Sequence, residues 1–380
     1  MKALYKRLLF ASLLICLLGI RGFALDIVEW QAPVLTGPMF SSSIQNFFSD
    51  DFGDILKNEV IPAILESDPN PRKLIQGFAD ASVFASTGAS QRAYEGYKYL
   101  AFTIGPMIGL KLPGARINAD EFSNFGDTLK TDGDIAAGLN VQAITGQLSI
   151  NTSAFLLENL YLGLRFGYFN FEAVENLTYN TLQLGIVGNY RIVRGVDFGA
   201  AGISWRGVGL GSGVIFQKTN LTYRYTAGTR ATNFSVSIPS TSISLSGNLQ
   251  LIDPELAFDM NVTTFVVPLE VNTAFQLLFF NISLGLGLDF AFGGNDMHIN
   301  MDGAVAINAA DASMNTVSTQ TQGRLAVDAG GSFGPAAANP KLMMGLGFKF
   351  GRVVFDIPVT YFFLTGRHGL ALGITLGIVW

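Results

Sequence analysis

The chain has 380 residues, a net charge of −5, one cysteine and two histidines; 49% of its residues are hydrophobic and only 14% charged. Soluble domains carry ~25% charged residues, so this composition speaks for a membrane environment. With no basic run, it gives no support for nucleic-acid binding.

The first residues read as a secretory leader. Lys2, Lys6 and Arg7 form a basic start, Leu8 to Ile20 an apolar core too short to span as a helix, and Gly22-Phe23-Ala24 a cleavage site. The expected organisation is a signal peptide over 1–24, a helical segment over 25–73 and a barrel over 74–380, exported to the bacterial outer membrane. Lipidation at Cys16 is the alternative, opposed by the bulky Ile15 before it. Cleavage after Ala24 leaves no thiol chemistry.

From Phe40 to Glu66, the residues Ile44, Phe47, Phe48, Phe52, Ile55, Leu56 and Val60 recur every three or four positions, the stripe of an amphipathic helix. Ser42 and Gln45 have capping-box spacing, and Pro62 predicts a kink or stop. This helix is expected to plug a barrel or to lie against its periplasmic rim.

After Leu74 the pattern changes to period two. Leu100, Phe102, Ile104, Ile108 and Leu110 alternate with small residues, and so do Leu160 to Tyr168, Leu182 to Ile192, Leu342 to Phe350 and Phe355 to Tyr361. The most apolar stretch, Thr273 to Gly294, has large side chains at even positions and Asn281, Ser283, Gly285, Gly287 and Asp289 at odd ones. That is strand periodicity rather than a membrane helix. A soluble sandwich alternates too, but its outer face is rich in Lys and Glu; here the second face is Gly, Ser, Asn and Thr. The predicted fold is all-β, a transmembrane antiparallel barrel whose bulky residues face lipid. Roughly 300 residues at ~9–11 per strand give 12–14 strands, with 14 favoured. Gly351-Arg352 reads as a two-residue periplasmic hairpin turn. Thr219 to Asp259 and Asp296 to Gln322 are poorer in lipid-facing residues and read as external loops or strand extensions. The chain ends on Leu372, Ile374, Leu376, Ile378 and Trp380, the alternating aromatic-capped terminus that the barrel-assembly machinery recognises.

Isolated polar residues on the small faces, Arg165, Gln183, Asn189, Arg191, Asp289, Lys349 and Asp356, are the candidate lumen-lining residues, because an Arg or Lys facing lipid would cost ~2–4 kcal/mol. They would line a path or pair with one another. Gly330-Gly331-Ser332-Phe333-Gly334 matches a nucleophile elbow, but no helix follows it and no Asn-His-Ser signature can be assembled around His298 or His368. A lipid hydrolase is therefore the least favoured reading. Gly207 to Gly213 has glycines every second residue, the spacing of a strand and not of a nucleotide loop. No catalytic residue, metal or cofactor is expected.

Leu74-Ile75-Gln76-Gly77-Phe78-Ala79-Asp80-Ala81-Ser82-Val83, after a helix and before glycine-rich strands, resembles the start of a spirochaete family of outer-membrane surface proteins first described as leptospiral surface adhesins. That resemblance implies surface exposure and binding of host matrix proteins. The helical start and strand number are also similar to the outer-membrane long-chain fatty-acid channel family, which implies passage of hydrophobic molecules. The Asn-Pro-Ala motif near that family's start has no counterpart here, Asn339-Pro340 lying near the end. A passive channel for small hydrophobic molecules is the first expectation and an adhesin the second, with outer-membrane lipids as the common partner.

Overall fold

A computed structural model describes residues 24–38, 41–55, 71–88, 97–112, 138–174, 176–199, 202–238, 243–311, 315–364 and 367–380. The leader before Ala24 and the region around Pro62 lie outside these residues. In chain order come β1 (Ala24–Gln31), β2 (Val34–Thr36), α1 (Ser42–Asn46), a π-helical turn (Phe47–Asp51), α2 (Phe52–Ile55) and α3 (Pro71–Thr87). The strands that follow are β3 (Leu100–Leu112), β4 (Gly138–Asn151), β5 (Leu160–Val174), β6 (Leu177–Asp197), β7 (Ile203–Thr226) and β8 (Arg230–Ser237). After them come β9 (Ser244–Leu277), β10 (Phe280–Ala310), β11 (Thr316–Thr321), β12 (Gly323–Phe333), β13 (Ala338–Phe350), β14 (Val353–Leu364), β15 (Arg367–Gly373) and β16 (Thr375–Val379).

The sheet closes on itself. Antiparallel ladders run β3-β4-β5-β6-β7-β9-β10-β13-β14, and β14 pairs with β15 and β16, which both return to β3. β15 and β16 are one strand interrupted at Ile374, whose N–H donates to Pro106 O at 3.2 Å; opposite it, the β3–β4 register shifts at Pro106. Counted this way, ten strands form the ring among the described residues, fewer than the 12–14 expected from chain length. The reason is that β9 and β10 run for 34 and 31 residues. Chain that would have widened the circumference extends two strands beyond the membrane instead. Their extensions carry β8, β12 and β11, to which β1 and β2 add, forming a head. Thr219 to Asp259 and Asp296 to Gln322 supply much of it.

Polarity inverts where the barrel becomes the head. On β10 the even residues Ile282, Leu284, Leu286 and Phe292 are exposed outward, while Ser283, Asp289 and Ala291 are buried inward. Beyond Gly293 the same two faces continue with opposite chemistry: Asp296, His298 and Asn300 point outward, and Met297, Ile299, Val305 and Ile307 are buried. β9 does the same, from Phe265, Leu269 and Val271 outward to Asn261 and Asp259, with Thr264 inward giving way to Val262, Met260 and Phe258. Thr263 pairs with Gly294, so both strands switch at one level. Below that level the sheet is solvated by lipid and above it by water.

The tight turns Leu278–Phe279 and Gly351–Arg352 share one rim with Trp380, whose carbonyl accepts from the Lys98 and Tyr99 amides. Gly351 adopts φ +61°, which a two-residue hairpin requires of its first residue. Short turns mark the periplasmic end of such barrels, so the head is external. Leu372, Ile374, Leu376, Ile378 and Trp380 all present their side chains outward.

The N-terminal aromatic stripe belongs to the head. Ile44, Phe47, Phe48 and Phe52 are buried against Phe234, Leu245, Leu249, Val305, Ile307 and Leu325. The helix cap is Ser41, whose hydroxyl accepts from Ile44 N, rather than the expected Ser42–Gln45 box. Gln45 straps the helix to the β1–β2 connection through Pro33 O and Leu35 N. Among the described residues of this stripe, 41–55, none enters the lumen or touches the Trp380 rim. A stripe of phenylalanines needs apolar partners, and above the inversion the inward face supplies them.

Leu286→Arg and Asn300→Arg test the inversion, because both positions lie on the same outward face of β10. The first should cost ~2–4 kcal/mol and the second no more than about 0.5 kcal/mol in urea unfolding from lipid vesicles. Equal costs would move the membrane boundary.

Candidate functional site: a helix sealed in the lumen

The occupant of the lumen is α3, astride the boundary expected between helical segment and barrel. Leu74 to Thr87 is helix, not the first strand; the barrel begins at Leu100. From Ala79 to Thr87 every side chain is buried. Ala79, Ala81, Ser82, Ala85, Ser86 and Thr87 are small, so the helix fits a narrow barrel and can approach the wall on all sides. Glycines let it do so. A Cβ at Gly138 would collide with the Gly77 backbone, and one at Gly109 with Ala81 O and Ala85 N. Phe84 lies stacked on Phe362, ring centroids 4.0 Å apart.

Polar bonds hold the helix to five of the ten ring strands. Asp80 pairs with Lys111 Nζ of β3 at 2.9 Å and accepts from Ala336 N at 2.7 Å. Asn140 of β4 donates to Ser82 Oγ at 3.0 Å. Past its last turn a helix leaves carbonyls without internal partners; here Gln183 of β6 donates to Ser86 O at 2.8 Å and Thr360 of β14 to Gly88 O at 3.2 Å. Thr87 Oγ1 donates to Asp289 Oδ2 at 2.6 Å. Asp289 Oδ1 and Glu270 Oε1 each lie 2.7 Å from Lys341 Nζ, with Lys341 and Asp289 both 0% exposed. Beneath Thr87, a cavity of about 30 Å³ is lined by Gln147, Arg165, Asn189, Glu270 and Asn272 among others. That is room for one or two waters.

Of the lumen residues expected from sequence, Gln183 and Asp289 touch the helix. Arg165 and Asn189 line the cavity below it, and Asp356 is buried in the wall, its carbonyl accepting from Thr375. Arg191 and Lys349 stand apart, toward the Trp380 rim. The chemistry that matters most to the plug was missed: Lys341, Glu270, Lys111, Asp80 and Thr87. Two left a trace, since Lys341 and Lys111 extend the small-residue phase of strands already recognised; Asp80 and Thr87 lie in no periodic pattern. Ser332 lies inside β12 opposite Asp296, in extended backbone and not in a strand–helix turn.

The path of the chain follows. Ala79 packs with Phe258, Met260, Met297 and Ile299 at the base of the head, Phe84 with Met107 and Ala291 lower down, and Tyr97 with Tyr161, Val354 and Val379 at the Trp380 rim. From Ala79 to Thr87 the helix therefore runs down from the head inside the barrel, and Tyr97 lies below it at the rim before β3 begins.

The fold and its sealed lumen define a transmembrane β-barrel of the outer-membrane kind, closed by its own helix. The sequence model of the Lsa36-like family matches residues 42–380, and the chain belongs to that family. No curated protein matches it. Similar solved structures include the CymD monoaromatic hydrocarbon channel (10% identity, 80% of this chain and 98% of that one, TM-score 0.24) and a Pseudomonas aeruginosa FadL homologue (10%, 82% and 98%, 0.25). The translocator domain of autotransporter NalP from Neisseria meningitidis is another (10%, 76% and 91%, 0.28).

Lys341→Met should loosen α3 by ~3–5 kcal/mol, because it leaves two carboxylates buried without their cation. Adding Asp289→Asn and Glu270→Gln should recover most of the loss. Hydrogen exchange of the α3 amides reads both outcomes; unchanged protection in the single variant would remove the cluster from its anchoring role. Threading through the lumen is tested separately. An epitope placed before Trp30 should be labelled on intact cells, and one in the Gly351–Arg352 turn only after permeabilisation; labelling of both from one side of the membrane would overturn the threaded path, and the reverse pattern would turn the head to the periplasm.

Proposed function

We propose that the barrel is a sealed anchor and that the head is its working surface, binding a macromolecule outside the cell. One observation carries this reading: the lumen is filled by a helix bonded to β3, β4, β6, β10 and β14, while two strands are prolonged far beyond the membrane to build the head. An open passive pore needs neither feature. Membership of a family that the sequence resemblance links to surface adhesins supports host matrix proteins as the ligand class. Outer-membrane lipids solvate the belt, and the assembly machinery reads the Leu372–Trp380 face.

The second reading is a channel for small hydrophobic molecules. What favours it is that much of the hold on α3 is by polar contacts which water can replace, the apolar partners of Ala79, Val83 and Phe84 being the remainder. The polar lining of Asn140, Gln142, Gln147, Gln183 and Gln217 suits such a solute poorly. Neither reading involves catalysis.

Intact cells, probed with labelled matrix proteins before and after surface proteolysis of the head, test the first reading. The wild-type protein should also be electrically silent in planar bilayers. Binding that survives loss of the head, together with uptake of a fatty-acid probe by vesicles holding the wild-type protein, would replace the first reading with the second.

A further inference from the structure

At the Trp380 rim the lumen becomes basic. Arg191 occupies the luminal face of β6, two residues beyond Asn189, and its guanidinium lies over the Tyr161 ring at 5.2 Å. Arg206, beside the bulge in β7, bonds Gln276 and lies within electrostatic range of both Arg191 and Lys349. With Arg194 these arginines border a recess of about 500 Å³ between the β4–β5 and β6–β7 connections. Glu158 and Asp197 also line it, and Glu158 already pairs with Arg194 at 3.1 Å.

Like charges gathered at the edge of a low-dielectric slab repel one another. Arg191 Nη2 is buried with no hydrogen-bond partner among the described residues, and a buried donor without an acceptor is costly. Both deficits are met by one anion with several acceptor oxygens, for which forked guanidinium groups are suited. The recess has the volume of a small-ligand site. Phe155, Leu156, Leu157 and Phe198 are exposed on the same two connections, which sets the recess at headgroup depth.

We propose that this recess binds a phosphate group, carried either by a membrane lipid headgroup or by a soluble phosphate ester. Nothing in this rests on the function of the head. Native mass spectrometry of the full chain in detergent, with dioleoylphosphatidylglycerol, dioleoylglycerol and glycerol 3-phosphate as probes, tests it. The phosphatidylglycerol should be retained and dioleoylglycerol not. Retention of glycerol 3-phosphate as well shows that phosphate alone suffices; its absence assigns the site to lipid, and both outcomes support a phosphate site. Arg191→Gln with Arg206→Gln should weaken binding by about tenfold or more, a loss of at least ~1.4 kcal/mol. Arg324→Gln in the head serves as the unchanged control. Heat-modifiable migration verifies folding, and Arg191→Lys with Arg206→Lys, which keeps charge but loses the fork, should give an intermediate loss if the glutamine pair does not fold. Equal retention of dioleoylglycerol, or binding unaffected by both pairs, would overturn the proposal.

Discussion

The structure depends on a single constraint: one continuous pair of strands must satisfy lipid along half its length and water along the other. β9 and β10 meet it by keeping their register and exchanging the chemistry of their two faces at Thr263 and Gly294. Lipid solvates bulky side chains and rejects charge, so below this level polarity is driven inward. Water reverses the preference, and the inward face above it becomes an ordinary apolar core. The rest of the architecture follows from the two interiors thus created.

The lower interior is lined with hydroxyls, amides and charges that need partners. A helix of small residues meets that need, because it exposes few apolar groups and offers its last carbonyls to wall donors such as Gln183 and Thr360. The upper interior needs phenylalanine, and the aromatic stripe of α1 and α2 supplies it. The chain thus contributes two N-terminal helical units of opposite character, each matched to the space that it fills. Exchanging them would bury a phenylalanine cluster against Asp289 and Lys341.

Charge is distributed along the lumen by the same logic. Asp289, Glu270 and Lys341 form close ion pairs in mid-barrel and Asp80 pairs with Lys111 below the head, both places where unpaired buried charge is costly. At the rim, where water reaches, Arg191, Arg206 and Lys349 lie together without such close pairing, and that imbalance is what an external anion can correct. The head's exposed pairs, such as Arg324 with Glu29 and Asp302, fasten β1 to β12 and β10 at little energetic consequence.

Much of the wall was legible in the chain. Period-two alternation is a local property, and a membrane acts on each residue of the outward face separately, so Ile282 to Phe292 or Leu342 to Phe350 could be read as spanning strands without knowing their neighbours. The polar runs at Thr219 to Asp259 and Asp296 to Gln322 likewise marked where the sheet leaves lipid. Which segment fills the barrel could not be read that way. The strongest helical pattern, Phe47 to Ile55, is an apolar stripe that suits a water-solvated core, whereas the true plug needs small residues on every side and so shows no stripe. Ring size, the partnership of Lys341 with Asp289 and Glu270, and the threaded path of the N-terminal segment were decided by tertiary structure alone. Each depends on contacts between residues far apart in the chain, and local periodicity carries no information about those.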